Sequence, residues 1–356
     1  MVSTPDLSKL CLFSDWESAA SKALSKENFD YVQEAAGDEL TSKDNRSDLD
    51  RCKIIPRILR GIAGVDTSTS VLGMNLPSPI MLAPVGGQEL FDAGGELSVA
   101  KASSRLGIPM VVSTVSSYSL ESISSQLGNT DGIFQLYMFN DDEFNRSLVE
   151  RAENSGYKSI IFTVDGPTIG RRPRSIKNGF SNEGHTSGNM FGKNNEKALG
   201  KQLKLKCDIS WSDVDKLREW TSLPVVLKGI VSPLDATEAM DRGVDGIVVS
   251  NHGGRQLDGA ISSISALGTI NRATKGEITI LLDGGIRSGS DILKALCLGA
   301  DAVLIGRLYV YALSVAGSKG VEKALVDLLS DLQISMLNSG ISSVKEADPS
   351  YITGPA

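Results

Sequence analysis

The stretch Gly246–Asp258 reads G-I-V-V-S-N-H-G-G-R-Q-L-D. An apolar β-branched run, Ile247-Val248-Val249, stops at Ser250, Asn251 and His252, and two glycines lead into Arg255 and Gln256. That composition reads as a buried strand delivering polar groups to a loop, where Gly253 and Gly254 let backbone approach a ligand. An imidazole three residues from a guanidinium suits an anionic substrate that must lose a proton. A glycine-rich turn with a hydrogen-bonded histidine explains the same residues locally, so the surrounding chain has to decide.

Outward from this stretch the pattern repeats. From Pro79 onward, short apolar runs alternate with polar or glycine-rich loops and helix-like segments. The runs are Ile80–Ala83, Met110–Ser113, Ile133–Gln135, Ile160–Thr163, Val225–Lys228, Ile247–Ser250, Ile280–Asp283 and Ala302–Gly306. Helix-like segments such as Gly95–Leu106, Asp142–Asn154, Pro233–Arg242 and Asp291–Leu298 fall between them. Alternating strand and helix implies parallel strands with crossovers. Eight repeats within roughly 230 residues imply an α/β fold, a closed (β/α)8 TIM barrel. An open doubly wound sheet is the alternative; it usually carries G-x-G-x-x-G after its first strand, which Gly86-Gly87-Gln88 does not supply.

The flanks differ in texture. Asp15–Ala36 is helix-like, with Trp16, Ala19, Ala20, Ala23 and Leu24 as its apolar stripe, and Tyr31 reads as a packed helix aromatic. Arg51–Pro56 reads as a connector and Val71-Leu72-Gly73-Met74 as a piece of hairpin. Between Asp165 and Trp211 the rhythm breaks for some 45 residues, rich in Gly, Asn, Lys and Ser around Ser181–Gly200. A loop of that length is either an active-site lid or a surface insertion. The expected organisation is one domain over 1–356: an N-terminal helical extension (1–78) and a barrel (79–356) with a lid at about 166–210.

Bulk composition narrows the function classes. The 356 residues are 41% hydrophobic and 22% charged, an ordinary globular balance. Net charge is -7, which argues against a broad basic face for nucleic acid. No window approaches 18 apolar residues, so no membrane segment is expected. The N-terminus lacks the charged and apolar regions of a secretory signal, and the tail Thr353-Gly354-Pro355-Ala356 is not the S-K-L address. Four scattered cysteines without C-x-x-C spacing fit a reducing compartment, and the cytoplasm is expected.

The run ends carry the chemistry. In order they read Ala83-Pro84-Val85-Gly86-Gly87, Ser113-Thr114, Gln135-Leu136-Tyr137, Thr163-Val164-Asp165, Lys228-Gly229, Ser250-Asn251-His252, Asp283-Gly284-Gly285-Ile286-Arg287 and Gly306-Arg307. Seven of these eight ends place hydrogen-bonding or charged side chains at the C-terminal mouth, where barrel enzymes keep their active sites. Glycine-rich backbone, helix starts and an arginine after strands seven and eight suit a phosphate. No acidic cluster marks a metal site, and two histidines are too few for zinc. A phosphorylated organic cofactor fits better than a phosphorylated substrate, because His252, Arg255, Tyr137 and Asp165 remain free for a second, smaller anion.

S-N-H-G-G-R-Q at Ser250–Gln256, D-G-G-I-R at Asp283–Arg287 and I-G-R at Ile305–Arg307 resemble the FMN-dependent 2-hydroxy-acid oxidases and dehydrogenases. That family includes glycolate oxidase, lactate oxidase, mandelate dehydrogenase and hydroxymandelate oxidase. F-Q-L-Y at Phe134–Tyr137, T-V-D at Thr163–Asp165, G-R-R at Gly170–Arg172, I-K-N at Ile176–Asn178 and L-P-V-V-L-K-G at Leu223–Gly229 extend the match over almost the whole chain. The resemblance implies FMN across the barrel mouth. Gly86, Ser113, Gln135, Thr163, Lys228 and Ser250 would contact the isoalloxazine and ribityl, and Asp283, Gly285, Arg287, Gly306 and Arg307 the ribityl and phosphate. Lys228 would stabilise the negative charge of reduced flavin. Arg255 and Tyr31 would grip the substrate carboxylate with Arg172 nearby, a task for which a planar guanidinium is well shaped. Tyr137 would bond the substrate hydroxyl, His252 would be the general base, and Asp165 would orient it.

Departures from the family pattern bear on substrate and acceptor. Val115 stands where glycolate-type enzymes carry tryptophan, which implies a larger pocket, for lactate, mandelate or similar acids. Gly86 stands where many oxidases have alanine near flavin N5, which leaves the acceptor open between oxygen, giving hydrogen peroxide, and a quinone or other carrier. Leu308 replaces a common proline. A non-catalytic flavin- or phosphate-binding barrel would require the acid/base set to be degraded, and it is intact. Family members are commonly tetramers, so a homo-oligomer is expected.

Overall fold

Each barrel strand alternates two apolar faces, one turned to the barrel axis and one to the surrounding helices. The computed structural model describes residues 5–181, 187–190 and 204–354. The strands are β1 (Ile80–Leu82), β2 (Met110–Ser113), β3 (Gly132–Leu136), β4 (Ile160–Thr163), β5 (Val225–Ile230), β6 (Gly246–Val249), β7 (Thr279–Leu282) and β8 (Ala302–Ile305). Neighbours pair in parallel, and β8 closes on β1 with Val303 opposite Ile80. The expected (β/α)8 barrel is therefore present, and closure excludes the open doubly wound sheet. The expected runs shift by only one or two residues. The largest shift is in β5, which continues to Ile230 through an irregularity after Lys228.

The alternation sorts the core. Met81, Val111, Ile133, Ile161, Val226, Val248, Leu281 and Leu304, one from each strand, fill the barrel interior with Val71, Met74 and Leu76. Those last three come from a hairpin, Thr69–Val71 paired with Met74–Leu76. Its turn residues Leu72 (φ 50°) and Gly73 (φ 76°) are both left-handed, as a two-residue hairpin turn requires. The hairpin plugs the N-terminal end of the barrel. The outward residues pack under α4 (Gly95–Leu106), α5 (Leu120–Leu127), α6 (Asp142–Asn154), α8 (Trp211–Trp220), α9 (Pro233–Asp241), α10 (Ser263–Thr274), α11 (Gly289–Cys297) and α12 (Arg307–Ser339). A backbone break at Ala316-Gly317 divides α12.

The N-terminal segment departs from the expectation. The single helix expected over Asp15–Ala36 is two, α1 (Phe13–Ala23) and α2 (Lys26–Gln33). Ser25 breaks it: its backbone is extended and its hydroxyl accepts from the Asn28 N–H at 3.2 Å, starting a new helix. A third helix, α3 (Leu40–Arg51), had no apolar periodicity to announce it, because its buried face is largely Thr41, Asn45 and Asp48. Those polar groups are satisfied by the barrel loops: Asn45 and Asn251 exchange two side-chain hydrogen bonds of 2.8 Å. The connector expected at Arg51–Pro56 contains a short strand, Lys53–Ile54, paired with Ile352–Thr353. In the lid region, α7 (Pro173–Asn178) and a helical turn at Gly188–Met190 give the insertion structure of its own. Most of the Gly/Asn/Lys/Ser-rich part of the lid lies outside the described residues.

Candidate active site

Period-two geometry carries the barrel's inward face upward into the site. Two residues beyond the apolar interior layer stand Ala83, Ser113, Gln135, Thr163, Lys228, Ser250, Asp283 and Gly306. Ser113 donates to Gln135 Oε1 (3.1 Å), and Gln135 Nε2 donates to Thr163 Oγ1 (3.0 Å), a buried chain across three strands. Lys228 Nζ lies 3.0 Å from Ser250 Oγ and 3.2 Å from Asp283 Oδ2. Burial alone would lower the Lys228 ammonium, but Asp283, Asp165 and Tyr137 outweigh it and hold the pKa above the usual value. Lys228 is thus a fixed positive charge in the floor of a cavity of about 1620 Å³.

His252 stands three residues beyond the end of β6. Its backbone is left-handed (φ 59°), as are Gly253 (64°) and Gly254 (77°), and this sharp corner turns the imidazole into the cavity. A Cβ on Gly254 would stand 2.6 Å from the Ser42 nitrogen of α3, so only glycine fits there. Asp165 Oδ1 lies 3.0 Å from His252 Nδ1 and Tyr137 Oη 3.3 Å from Nε2. With Nδ1 protonated toward the carboxylate, Nε2 is left as the basic nitrogen. Burial pushes the imidazole below its ordinary value, partly offset by Asp165, so it is neutral and ready to accept a proton. Burial would raise Asp165, yet the imidazole beside it and Lys228 hold the carboxyl below its usual range. Burial lifts the Tyr137 phenol to about 12, which keeps it a hydrogen-bond donor. Gly229 (φ 111°) makes room for the dyad, since a Cβ there would sit 2.4 Å from Asp165 Cβ.

Arg172, Arg255, Arg287 and Arg307 are among the five arginines that line the same cavity. Among the described residues none of these four makes an ion pair. Arg255 Nη1 donates to the Tyr31 and Glu34 carbonyls (both 2.9 Å), and its guanidinium lies 5.1 Å from the Tyr31 ring centroid. Arg172 lies 5.9 Å from that ring, with its buried Nε unpartnered. Burial, then the Arg172 charge, depresses Arg255 to about 10. Arg287 stacks 3.4 Å over Phe13 and is depressed to about 10 by burial and then by Arg307. Arg307, also lowered by burial, donates to the Val32, Glu34 and Gly253 carbonyls. At about 10, Arg255 and Arg287 stay protonated at neutral pH. Buried positive charge without a counter-charge is a site for anions.

FMN fits this donor set. Arg287, Arg307, Gly285 and Gly306 line one part of the cavity and suit its phosphate. A Cβ on Gly306 would meet nothing nearer than Ala83 at 4.0 Å, so the space beside it is open. The buried Asp283 Oδ1 has no partner and suits a ribityl hydroxyl. Arg172 and Arg255 remain for a second anion beside His252.

Gly86, Ser113, Val115, Tyr31, Tyr137, Lys228, His252 and Gly285 all line the cavity, whereas Gln135, Thr163, Ser250 and Asp165 stand just behind its wall. Tyr31 is therefore more than a packed helix aromatic: it stacks on Phe180 at 4.4 Å between ring centroids and faces the cavity. The Gly86 backbone packs directly against Val115, because a Cβ there would lie 2.5 Å from Val115 Cγ2. Glu96 was missed. It is fully buried, and its Oε1 accepts from the Gln88 and Ser117 N–H groups (3.1 and 3.0 Å), fastening the loops that hold Gly86 and Val115. Phe91, Phe180 and Glu34 were missed as well, each brought to the cavity by packing between segments distant in sequence.

A TIM barrel with a His–Asp pair and arginines without counter-ions at its C-terminal mouth has the layout of a cofactor-dependent enzyme. Residues 20–354 match the family described as FMN-dependent dehydrogenase. The chain belongs to that family, and FMN is its cofactor. It is 42% identical to the 4-hydroxymandelate oxidase of Amycolatopsis orientalis over 94% of this chain and 96% of that one. It is 38% identical to the L-lactate oxidase of Lysinibacillus sphaericus, covering 94% of this chain and 90% of the relative. A crystal structure of mandelate oxidase superposes with a TM-score of 0.89 at 40% identity, covering 96% and 98% of the two chains.

Proposed function

We propose that this enzyme oxidises an (S)-2-hydroxy acid to the 2-oxo acid and passes the electrons to oxygen, giving hydrogen peroxide. The observation that carries this reading is the His252–Asp165 dyad facing the same cavity as two arginines without counter-ions. Bound FMN supplies the two-electron oxidant. Arg255, Arg172 and Tyr31 hold the substrate carboxylate. Tyr137 donates to the substrate hydroxyl, which sets the substrate against His252. Nε2 of His252 takes a proton from the substrate, and Asp165 stabilises the imidazolium that forms. Lys228, buried and charged, favours negative charge accumulating beside it. Val115 borders a roomy, aromatic-lined wall with Phe91 and Phe180, which supports lactate, mandelate or larger acids over glycolate. The names of the relatives, lactate oxidase and 4-hydroxymandelate oxidase, support both oxygen and this substrate range.

The test is a panel of 2-hydroxy acids from glycolate to 4-hydroxymandelate, assayed with oxygen and with a dye acceptor. Turnover with peroxide release is expected; a colourless protein without FMN would sink the reading. Gly86 supports a second reading, a dehydrogenase using a quinone or other carrier, and sluggish reoxidation of the reduced flavin by oxygen would favour it.

The segments Leu10, Trp16, Val32 and Leu49 share one apolar cluster with the barrel helices, which supports a single domain over 1–356. Exposed Ile58 and Leu59 support a homotetramer, testable by light scattering. Among the described residues no helix is long and apolar enough to cross a membrane. Four free thiols support a cytoplasmic location, which fractionation would test.

A further inference from the structure

Glu34 lies at the end of α2, fully buried, yet among the described residues its carboxylate contacts no ammonium or guanidinium side chain within ion-pair distance. Instead the carboxylate accepts two hydrogen bonds from one residue of the lid helix, Ser175: the backbone N–H at 3.0 Å and the hydroxyl. Ser175 is the third residue of α7, and Arg172 immediately precedes that helix without a side-chain cap of its own. Glu34 therefore supplies, from another element, the acceptor that the first turn of α7 lacks. Its carbonyl oxygen meanwhile accepts from Arg255 Nη1 (2.9 Å) and Arg307 Nη2 (3.1 Å).

One residue thus joins both halves of the clamp. Its main chain fixes Arg255, and its side chain fixes the helix that begins at Arg172. The two guanidiniums reach Tyr31 from different segments of chain, 83 positions apart (255 − 172), and neither has a carboxylate to hold it. Burying a carboxylate is costly unless hydrogen bonds satisfy it, so this one is retained for what it positions. Other bonds also join the N-terminal segment to α7: Arg174 bonds Gln33 of α2 (2.6 Å) and Glu39, which precedes α3 (2.7 Å), and Asn178 bonds Asp30 of α2 (3.0 Å). These lie nearer the surface, and none of them touches Arg255.

We propose that Glu34 is a positioning residue for the substrate-carboxylate clamp, holding Arg172 and Arg255 at a fixed separation through Ser175 and its own carbonyl. The proposal rests on the function given above. Misplacing a binding group by about an ångström weakens a productive complex severely. The holoenzyme carrying Glu34→Ala is expected to show KM for its 2-hydroxy acid raised about tenfold, with kcat changed about twofold or less. The 2-oxo acid product, titrated by its perturbation of the flavin spectrum, should bind about tenfold more weakly. Glu34→Gln keeps an oxygen acceptor for the Ser175 N–H and should restore most of the loss. Ser175→Ala, which removes one of the two bonds, should shift KM in the same direction by a smaller factor. Arg174→Ala breaks two bonds of the same contact and should leave KM within about twofold. Flavin content and melting temperature, measured on each variant, separate misfolding from misplacement, and Ser175→Ala carries the test if Glu34→Ala does not fold. Unchanged KM and product binding in Glu34→Ala and Ser175→Ala would overturn the proposal. So would an Arg174→Ala effect equal to that of Glu34→Ala, which would assign the role to the whole contact. A wild type that neither turns over nor binds these acids overturns the function itself, and the clamp with it.

Discussion

Val248 and Ser250 stand two residues apart on one face of the chain, and the same step separates Val111 from Ser113, Ile161 from Thr163, Val226 from Lys228 and Leu281 from Asp283. The first of each pair belongs to the apolar interior that the Thr69–Leu76 hairpin seals. The second belongs to the polar layer under the cofactor cavity. On the proposed function, one strand position divides residues whose loss costs folding free energy from residues whose loss costs rate. The layer at the mouth is stable because its side chains bond one another, as Ser113, Gln135 and Thr163 do, while Asp283 Oδ1 is left without a partner.

The largest test of that division is His252→Gln, which should lower kcat/KM by about 10³–10⁴ while flavin content and thermal midpoint stay close to wild type. A comparable fall in stability would show that the corner at His252 also holds the fold. One layer below, Ile161→Ala should do the opposite: about 2–4 kcal/mol of unfolding free energy lost in denaturant titration, with kcat within about twofold.

Asp165→Asn should reduce kcat by about a hundredfold and also move the pH profile. The base must be neutral, and its folded pKa lies below the ordinary imidazole value because burial dominates. Activity is therefore full above that value and falls as the pH drops through it. The Asp165 charge pulls the imidazole upward, so its removal should slide the acid limb of kcat/KM to lower pH; an upward slide would contradict the dyad. The smallest effect is expected at the wall. Gly86→Ala should cost about 1–3 kcal/mol of stability because its methyl meets Val115 Cγ2. Val115→Ala should relieve only the side-chain part, because the Val115 carbonyl oxygen also lies 2.8 Å from that methyl, giving a coupling of about 0.5–1 kcal/mol in a double-mutant cycle.

The barrel was legible because each strand announces itself twice, by an apolar β-branched run and by the polar residues at its end. The mouth residues were legible for the same reason, since Lys228, His252, Asp283 and Arg307 each end such a run or follow it closely. What surrounds the mouth was not. The polar helix α3 shows no periodicity because its buried face is hydrogen-bonded rather than apolar. The break at Ser25 is one hydroxyl capping a new helix inside a continuous stripe. Glu34 and Ser175 stand 141 positions apart, and nothing near either in sequence points to the other. The crowding of Gly86 by Val115 likewise depends on two loops meeting across a gap of 29 positions (115 − 86).

The pairing of Lys53–Ile54 with Ile352–Thr353 has a consequence for how the molecule is made. A ribosome delivers the first partner some 300 residues before the second (353 − 53), so the segment waits through synthesis of every barrel strand. The bridge between Asp66 and Ser343 waits almost as long. Contacts of such long sequence separation form late and slowly. The hairpin that follows those two waiting points, Thr69–Leu76, can form early from local contacts alone, but it has no barrel to plug until the strands assemble. These two pairings of early-made chain are thus among the last to form, and truncation at the C-terminus would leave Lys53–Ile54 and Asp66 without their partners even in a completed barrel.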